Sequence, residues 1–183
     1  MITREECIDL VKENVKNKNL VNHMMAVGAI MRCMAERFGE DEALWEAVGI
    51  LHDIDYEKFG EDFSRHGAMS AEMVKDILPE EAVNAVRRHN PLTGHEPETR
   101  FDVSLLAADA ISGMIVANAL VRPTKLTGMK AKSIKKRMKD KSFARQVSRE
   151  NIMRCEEIGL PFSEFAQIAV KAMQGVADEI GLS

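Results

Sequence analysis

The sequence predicts an all-α fold. Three observations carry this. Apolar residues recur with helical period along nearly the whole chain, no stretch shows the strict alternation of a strand, and cap residues stand at helix-length intervals. Thr3 and Glu6 form a capping-box pattern that opens a first helix ending near Lys16. A long second helix runs from about Asn19 to Phe38 and stops at Gly39. Asp41 caps a third helix that ends near His52. After a polar loop, Asp55 to Phe63, Ser64 opens a helix that ends before Pro79. Glu80 to His89 forms the next, with Pro79 at its start. Pro91, Gly94 and Pro97 make residues 90–99 a loop. Phe101 to Val121 is the most apolar helix and ends before Pro123. Two or three more helices fill Lys130 to Ile180, with a break at Gly159-Leu160-Pro161 and Ser163 as a cap. The expected organisation is one domain over residues 1–183, with a helical extension from about residue 130 to 183.

Bulk properties narrow the function classes. With 183 residues, 45% hydrophobic and 30% charged, the chain can build one core. Aromatic residues are only 5%, so Leu, Ile, Val, Ala and the 12 Met must fill the interior; Met24, Met25, Met31 and Met34 read as core filling. The net charge of −4 argues against nucleic acid as a partner of the whole chain. The charge is unevenly spread: Glu36 to Asp62 is mainly acidic, and Arg122 to Arg154 is basic apart from Asp140 and Glu150. Cys7, Cys33 and Cys155 form no CxxC pair, which excludes a zinc knuckle or thioredoxin-like motif and suits a reducing cytoplasm. The start, MITREECIDL, has no signal-peptide pattern, and a cytoplasmic location is expected. The apolar run Val103 to Val121 carries Asp109 and Asn118 and reads as a buried helix, not a membrane span.

Four of the five histidines and one misplaced carboxylate point to chemistry. His23 lies within the Met-rich second helix. His52 ends the third helix directly before Asp53. His66 stands near the start of the next helix, and His89 ends the one after. Asp109 sits among Leu105, Leu106, Ala107, Ala108, Ala110 and Ile111, where an unpaired charge would lose its hydration. A metal ion removes that problem, and imidazole with carboxylate suits Zn, Fe, Mn, Ni and Co. Each residue alone has a plainer reading, a hydrogen-bonded core histidine or a cap. In this order along helices, a bundle can bring them together.

His23, His52-Asp53 in GILHDIDYEK, His66-Gly67, His89 in AVRRHN and Asp109 in LLAADAISG together resemble the HD-domain superfamily of metal-dependent phosphohydrolases. The resemblance covers residues 20 to 122. It implies an HD-like helical core, with His23, His52, Asp53 and Asp109 on a first divalent ion. It implies His66 and His89 on a second, with Asp53 bridging. The ion could be Mn, Fe, Co, Ni, Zn or Mg. The sequence departs from many relatives after Ile54, where Asp55 and Tyr56 stand; Lys58 is the candidate for the lysine that usually follows. No GYP signature follows His95, which argues against the cyclic di-GMP phosphodiesterase branch.

The expected activity is hydrolysis of a phosphate ester on a nucleotide or other small phosphorylated metabolite. A metal-activated hydroxide would be available because the ion lowers the pKa of bound water from about 15.7 towards about 7. Asp53, Asp55 and Lys58 are the catalytic candidates, with Asp55 or Glu57 as general acid or base. Lys58, Arg87, Arg88, Arg122 and Lys125 are the candidates for holding substrate phosphate. His95 reads as exposed and outside the ligand set. The basic stretch Lys130 to Arg149 reads as a solvated face, a phosphate-rich mouth or a weak nucleic-acid contact, and with Phe143 as its one aromatic residue it lacks a stacking platform for single strands. Two alternatives stand beside the hydrolase. One is a di-iron oxygenase using the same six ligands. The other is a nucleotide-sensing module without catalysis.

Overall fold

Helix ends fall where capping residues stand. The computed structural model describes residues 2–183 and contains nine α-helices and no strand among them. In α1 (Arg4–Asn14) the Thr3 hydroxyl accepts from the Glu6 N–H, and the Glu6 carboxylate accepts from the Thr3 N–H. The helix ends two residues before the expected Lys16 because Asn17 already caps α2 (Lys18–Phe38). Gly39, at φ 72°, closes α2, and Asp41 accepts from the Leu44 N–H to open α3 (Glu42–Leu51).

The α2–α3 hairpin is tight for a stated reason. A Cβ on Gly49 would lie 2.7 Å from the Gly28 Cα, and one on Gly28 would lie 2.6 Å from Ile50 Cγ1. The two backbones therefore touch at this glycine pair. Because the helices are antiparallel neighbours, the start of α2 meets the end of α3, and His23 comes beside His52.

The segment after α3 differs from expectation. Ser64 does not open a long helix. Asp62 caps a single 3-10 turn, Phe63–Arg65, and Gly67 at φ 84° breaks the chain before α4 (Ala68–Val74). That φ is unfavourable for any residue with a Cβ. Turns carry the chain from Val74 to Pro79, which precedes α5 (Glu80–Arg88). A further 3-10 turn, Pro91–Thr93, lies inside the expected loop.

A second capping box, Thr99 with Asp102, starts α6 (Arg100–Leu120). Beyond it come α7 (Ala131–Lys139), α8 (Arg149–Met153), the 3-10 turn Arg154–Ile158 and α9 (Phe162–Gly175). Ser163 is not the cap of α9 but lies in its first turn. Pro161 occupies the cap position, and its extended ψ leads directly into the helix.

The core is continuous from α1 to the last helix. α6 runs through it and touches α2, α3, α5, α7, α8 and α9. It is long and apolar enough to cross a membrane, yet most of it is buried by these neighbours. Met24, Met31, Met34, Leu105, Ile111, Met114 and Phe165 are among the largest fully buried side chains, so methionine does the filling that aromatics do elsewhere.

Candidate metal centre

Six side chains from five helical segments converge on one carboxylate. His52 ends α3, and Asp53 follows it. His23 arrives from α2, Asp109 from α6, His66 from the turn before α4, and His89 from the end of α5. From Asp53 Oδ1, the Nε2 atoms of His52, His66 and His89 lie at 3.3, 3.3 and 3.2 Å. His23 Nε2 lies 3.6 Å from Asp53 Oδ2 and 3.1 Å from Asp109 Oδ1. The ligand atoms of His23, His52 and Asp109 are within 4.8 Å of one another, as are those of His52, Asp53 and His89.

The outer ring nitrogens decide what the inner ones are. Nδ1 of His52 lies 2.8 Å from the Gly49 carbonyl, and Nδ1 of His89 lies 2.6 Å from the Val86 carbonyl. A carbonyl only accepts, so both Nδ1 atoms carry hydrogen. His66 Nδ1 lies 2.8 Å from the Asp55 carboxylate, and the same logic holds. His23 Nδ1 meets the Ser112 hydroxyl at 3.1 Å. That hydroxyl donates its one hydrogen to the Asp109 carbonyl at 2.8 Å, so it must accept from His23. In the neutral ring, each of the four therefore points a bare Nε2 lone pair at the same place. His52 Nε2 is buried without a hydrogen-bond partner among the described residues, and Nε2 of His66 and of His89 face each other at 3.2 Å. Facing lone pairs of this kind, beside a buried carboxylate, could hold a shared cation. Each ligand histidine donating its other nitrogen to an oxygen is also the usual support for metal ligation.

Electrostatics of the cluster point the same way. Burial pushes the His52 ring down to about 4, so it is neutral at ordinary pH. Burial opposes charge on His89 too, but its hydrogen bond and attraction to Asp53 raise it to about 9. Burial likewise acts against charge on Asp53, yet the surrounding His52, His89 and His23 hold its carboxyl well below the usual range. A proton on His89 substitutes in part for the cation, and a metal would displace it.

The cluster opens on one side. Side-chain exposure is 0% for His52 and 3% for His89, but 24% for His23 and 36% for Asp109. The sequence led us to expect Asp109 to be deeply buried; instead it stands at the mouth. Beside His23 lies a cavity of about 690 Å³ between α2, α6 and residues 180–182. His23 forms part of its wall, with Lys18 and Asn19 on one side and Val116, Leu120 and Leu182 on the other.

The other sequence candidates have the following surroundings. Asp55 is fully buried: Oδ1 accepts from His66 Nδ1, and Oδ2 accepts from the Gly67 and Ser70 N–H groups at 2.8 and 3.0 Å. Burial opposes its charge, but these donors hold its pKa low, so it is ionised and cannot serve as a general acid. Its work is to orient His66 and cap α4. The Glu57 carboxylate accepts from the Lys16 and Asn17 N–H groups and ties the α1–α2 turn to the loop. Lys58 is exposed and pairs with no carboxylate among the described residues.

The cationic candidates have partners within the protein. Arg87 donates to Asn84. Arg88 pairs with Glu98 and with buried Asp102, pinning the end of α5 to the start of α6. Arg122 donates to the Lys125 and Thr127 carbonyls and to Thr124 Oγ1, and Lys125 donates to the Gly181 carbonyl. These two brace the chain after α6. His95 is exposed.

Sequence reasoning missed three supporting residues. Asn90 donates to the Phe63 and His66 carbonyls and holds the His66 turn. Ser112 fixes His23. Tyr56 packs edge-on against His66, with ring centroids 5.2 Å apart. Only the adjacency of Asn90 to His89 offered a signal.

Comparison with known proteins agrees with this geometry. A family model described as HD domain matches residues 20–114, just over half the chain. Among curated proteins, Ribonuclease Y of Lawsonia intracellularis is 31% identical over 97 residues, which is 52% of this chain and 18% of that protein. Ribonuclease Y of Deinococcus radiodurans is 29% identical over 100 residues, covering 52% and 17%. That of Bacillus cereus is 32% identical over 96 residues, covering 52% and 18%. The matched region is thus under a fifth of these relatives' length. No solved structure matches the chain. The matched segment holds all six converging side chains, and the chain belongs to the HD-domain family.

Proposed function

We propose that this protein is a metal-dependent phosphohydrolase that cleaves a phosphate ester on a nucleotide or similarly small phosphorylated compound. The observation that carries the reading is the set of four imidazoles, each donating from Nδ1 and each aiming Nε2 at the Asp53 carboxylate. His23, His52, Asp53 and Asp109 would hold one divalent ion. His66 and His89, with Asp53 shared, would hold a second. A divalent ion so held supplies Lewis acidity at phosphorus and a water of lowered pKa.

The chain's own residues do the rest. Asp109 and His23 are the exposed edge of the set, so a phosphoryl group enters there. Lys18 and Asn19 offer donors to its oxygens from the cavity wall, and Val116, Leu120 and Leu182 shelter the organic part from water. The name of the curated relatives, a ribonuclease, favours a phosphodiester or nucleotide ester over a simple sugar phosphate. Arg87, Arg88, Arg122 and Lys125 are already bonded within the protein and are not part of this reading.

The test is metal analysis of protein purified without chelator, followed by a release screen over phosphomonoesters, phosphodiesters and nucleotides with Mn, Co, Ni and Mg. One or two equivalents of metal with turnover is the expected result. Asp53→Ala should lose both metal and activity while circular dichroism keeps its helical signal. Full activity in that variant would overturn the assignment. Bound iron with oxygen uptake and no ester cleavage would replace hydrolysis by oxygenation.

A further inference from the structure

We propose that the groove beside α7 binds the sugar-phosphate backbone of a single-stranded polynucleotide. The groove encloses about 610 Å³ and is lined by Arg122, Lys130, Lys132, Lys135, Lys136 and Lys139. Residues 122–149 carry 11 Lys and Arg against one acid, Asp140, a net of +10. The remainder then has 14 basic and 28 acidic residues, a net of −14, consistent with −4 for the whole. The basic character is therefore local and strong, and the overall charge conceals it.

The stripe works against its own helix. Lys132, Lys135, Lys136 and Lys139 recur at the three- and four-residue spacings that put side chains on one helical face, where like charges repel. Lys132 also lies in the first turn of α7, whose dipole is already positive and which has no side-chain cap. The described ion pairs take their Lys and Arg members from Arg4, Arg32, Arg37, Lys75, Arg88, Arg100 and Arg154, none of them in this segment. The opposite face holds the helix firmly: Ile134 is buried, and Arg137 donates to Asn118 while stacking over Phe143. A rigid, self-repelling row of unpaired lysines is stabilised by a polyanion that runs along it.

The shape selects the polyanion. Seven residues of helix separate Lys132 from Lys139, about 10 Å, too long for one phosphate. The lysines line a concavity, which a strand can enter and a flat bilayer cannot. The exposed positions of α7 carry no large apolar side chain to insert into lipid. Leu120 and Val121, 68% and 59% exposed, stand next to Arg122 and offer apolar surface to unstacked bases. Leu120, at the end of α6, lines the cavity beside His23, and Arg122, two residues further on, lines the groove. That a strand in the groove presents its flank to the metal centre rests on the hydrolase reading; the binding itself does not.

The experiment is fluorescence anisotropy with a labelled single-stranded dodecanucleotide, titrated at several salt concentrations. It uses the wild-type protein and Asp53→Asn, so turnover does not enter the measurement. Four lysine–phosphate contacts predict a log–log salt slope of about −3, hence about 50-fold weaker binding between roughly 50 and 200 mM salt. Replacing Lys132, Lys136 and Lys139 together by Ala should reduce the slope by about 2. Alanine is a better helix former than lysine, and circular dichroism verifies that the variant folds. Unchanged affinity and slope in the variant would overturn the proposal. So would binding confined to mixed phosphatidylcholine–phosphatidylserine vesicles, or equal affinity for a mononucleotide and the dodecamer.

Discussion

Asp55 shows how one side chain can act through another. Its carboxylate touches no cluster oxygen or ring other than His66, yet it fixes which nitrogen of that ring carries hydrogen. It also accepts from Gly67 and Ser70, so the same group sets the start of α4 and the position of His66. Asn at this position keeps one acceptor oxygen but loses the charge and one of the paired acceptors. We expect Asp55→Asn to weaken metal binding about 10- to 100-fold, the usual effect of removing a partner behind a ligating histidine. Metal titration with an indicator reads this directly, and the His66 side should be lost first. Equal affinity in wild type and variant would mean that His66 needs no such support. From the sequence, Asp55 looked like a candidate acid because it follows the His-Asp doublet. Burial and three donors, invisible in a linear string, give it the opposite protonation and a different task.

Element by element, what could be read in advance was what local chemistry decides. The caps Thr3 and Asp41, the stop at Gly39 and the break at Pro123 act within a turn or so of their own position, so α1, α2, α3 and α6 were placed to within a residue or two, although the Thr99 capping box went unread. The failures, Ser64 and Ser163, came where a neighbouring residue took over: Gly67 broke the helix, and Pro161 began one early. The crossing of α2 and α3 was not legible either, because Gly28 and Gly49 matter only once the helices are paired. That crossing yields a prediction. Gly49→Ala would drive a Cβ to 2.7 Å from the Gly28 Cα, and backbone cannot yield as a side chain can. Overpacking of this kind costs about 1–3 kcal/mol, which lowers Tm by roughly 2–4 °C per kcal/mol at this chain length. Since the same contact brings His23 beside His52, the variant should also hold less metal. A thermal scan with and without chelator separates the two effects. No change in either would mean that the helices can slide apart without disturbing the ligands.

At the scale of the whole molecule, the C-terminal segment reaches back to the mouth of the cluster. The sequence offered six metal-ready side chains and a family resemblance that grouped them, but nothing in it says that residues 180–182 complete the wall beside His23. Three anchors hold that wall. Asn22 donates to the Ile180 carbonyl, Lys125 donates to the Gly181 carbonyl, and the Leu126 N–H donates to the Leu182 carbonyl. Arg122 and Lys125, read beforehand as phosphate binders, are thereby part of the frame that shapes the pocket. Leu182 is nearly buried and faces both the core and the cavity. Its truncation to Ala removes apolar surface from each, and Leu→Ala changes at buried sites cost about 2–5 kcal/mol; a site bordering an open cavity belongs at the low end. The cluster itself does not touch Leu182, so its chemistry should survive. We therefore expect Leu182→Ala to raise KM several-fold with kcat nearly constant, the signature of binding lost equally from ground and transition states. Steady-state kinetics on whichever ester the screen identifies provides the measurement. A fall in kcat at unchanged KM would place the substrate's organic group elsewhere, because a wall that only shelters the substrate should not alter the step at phosphorus.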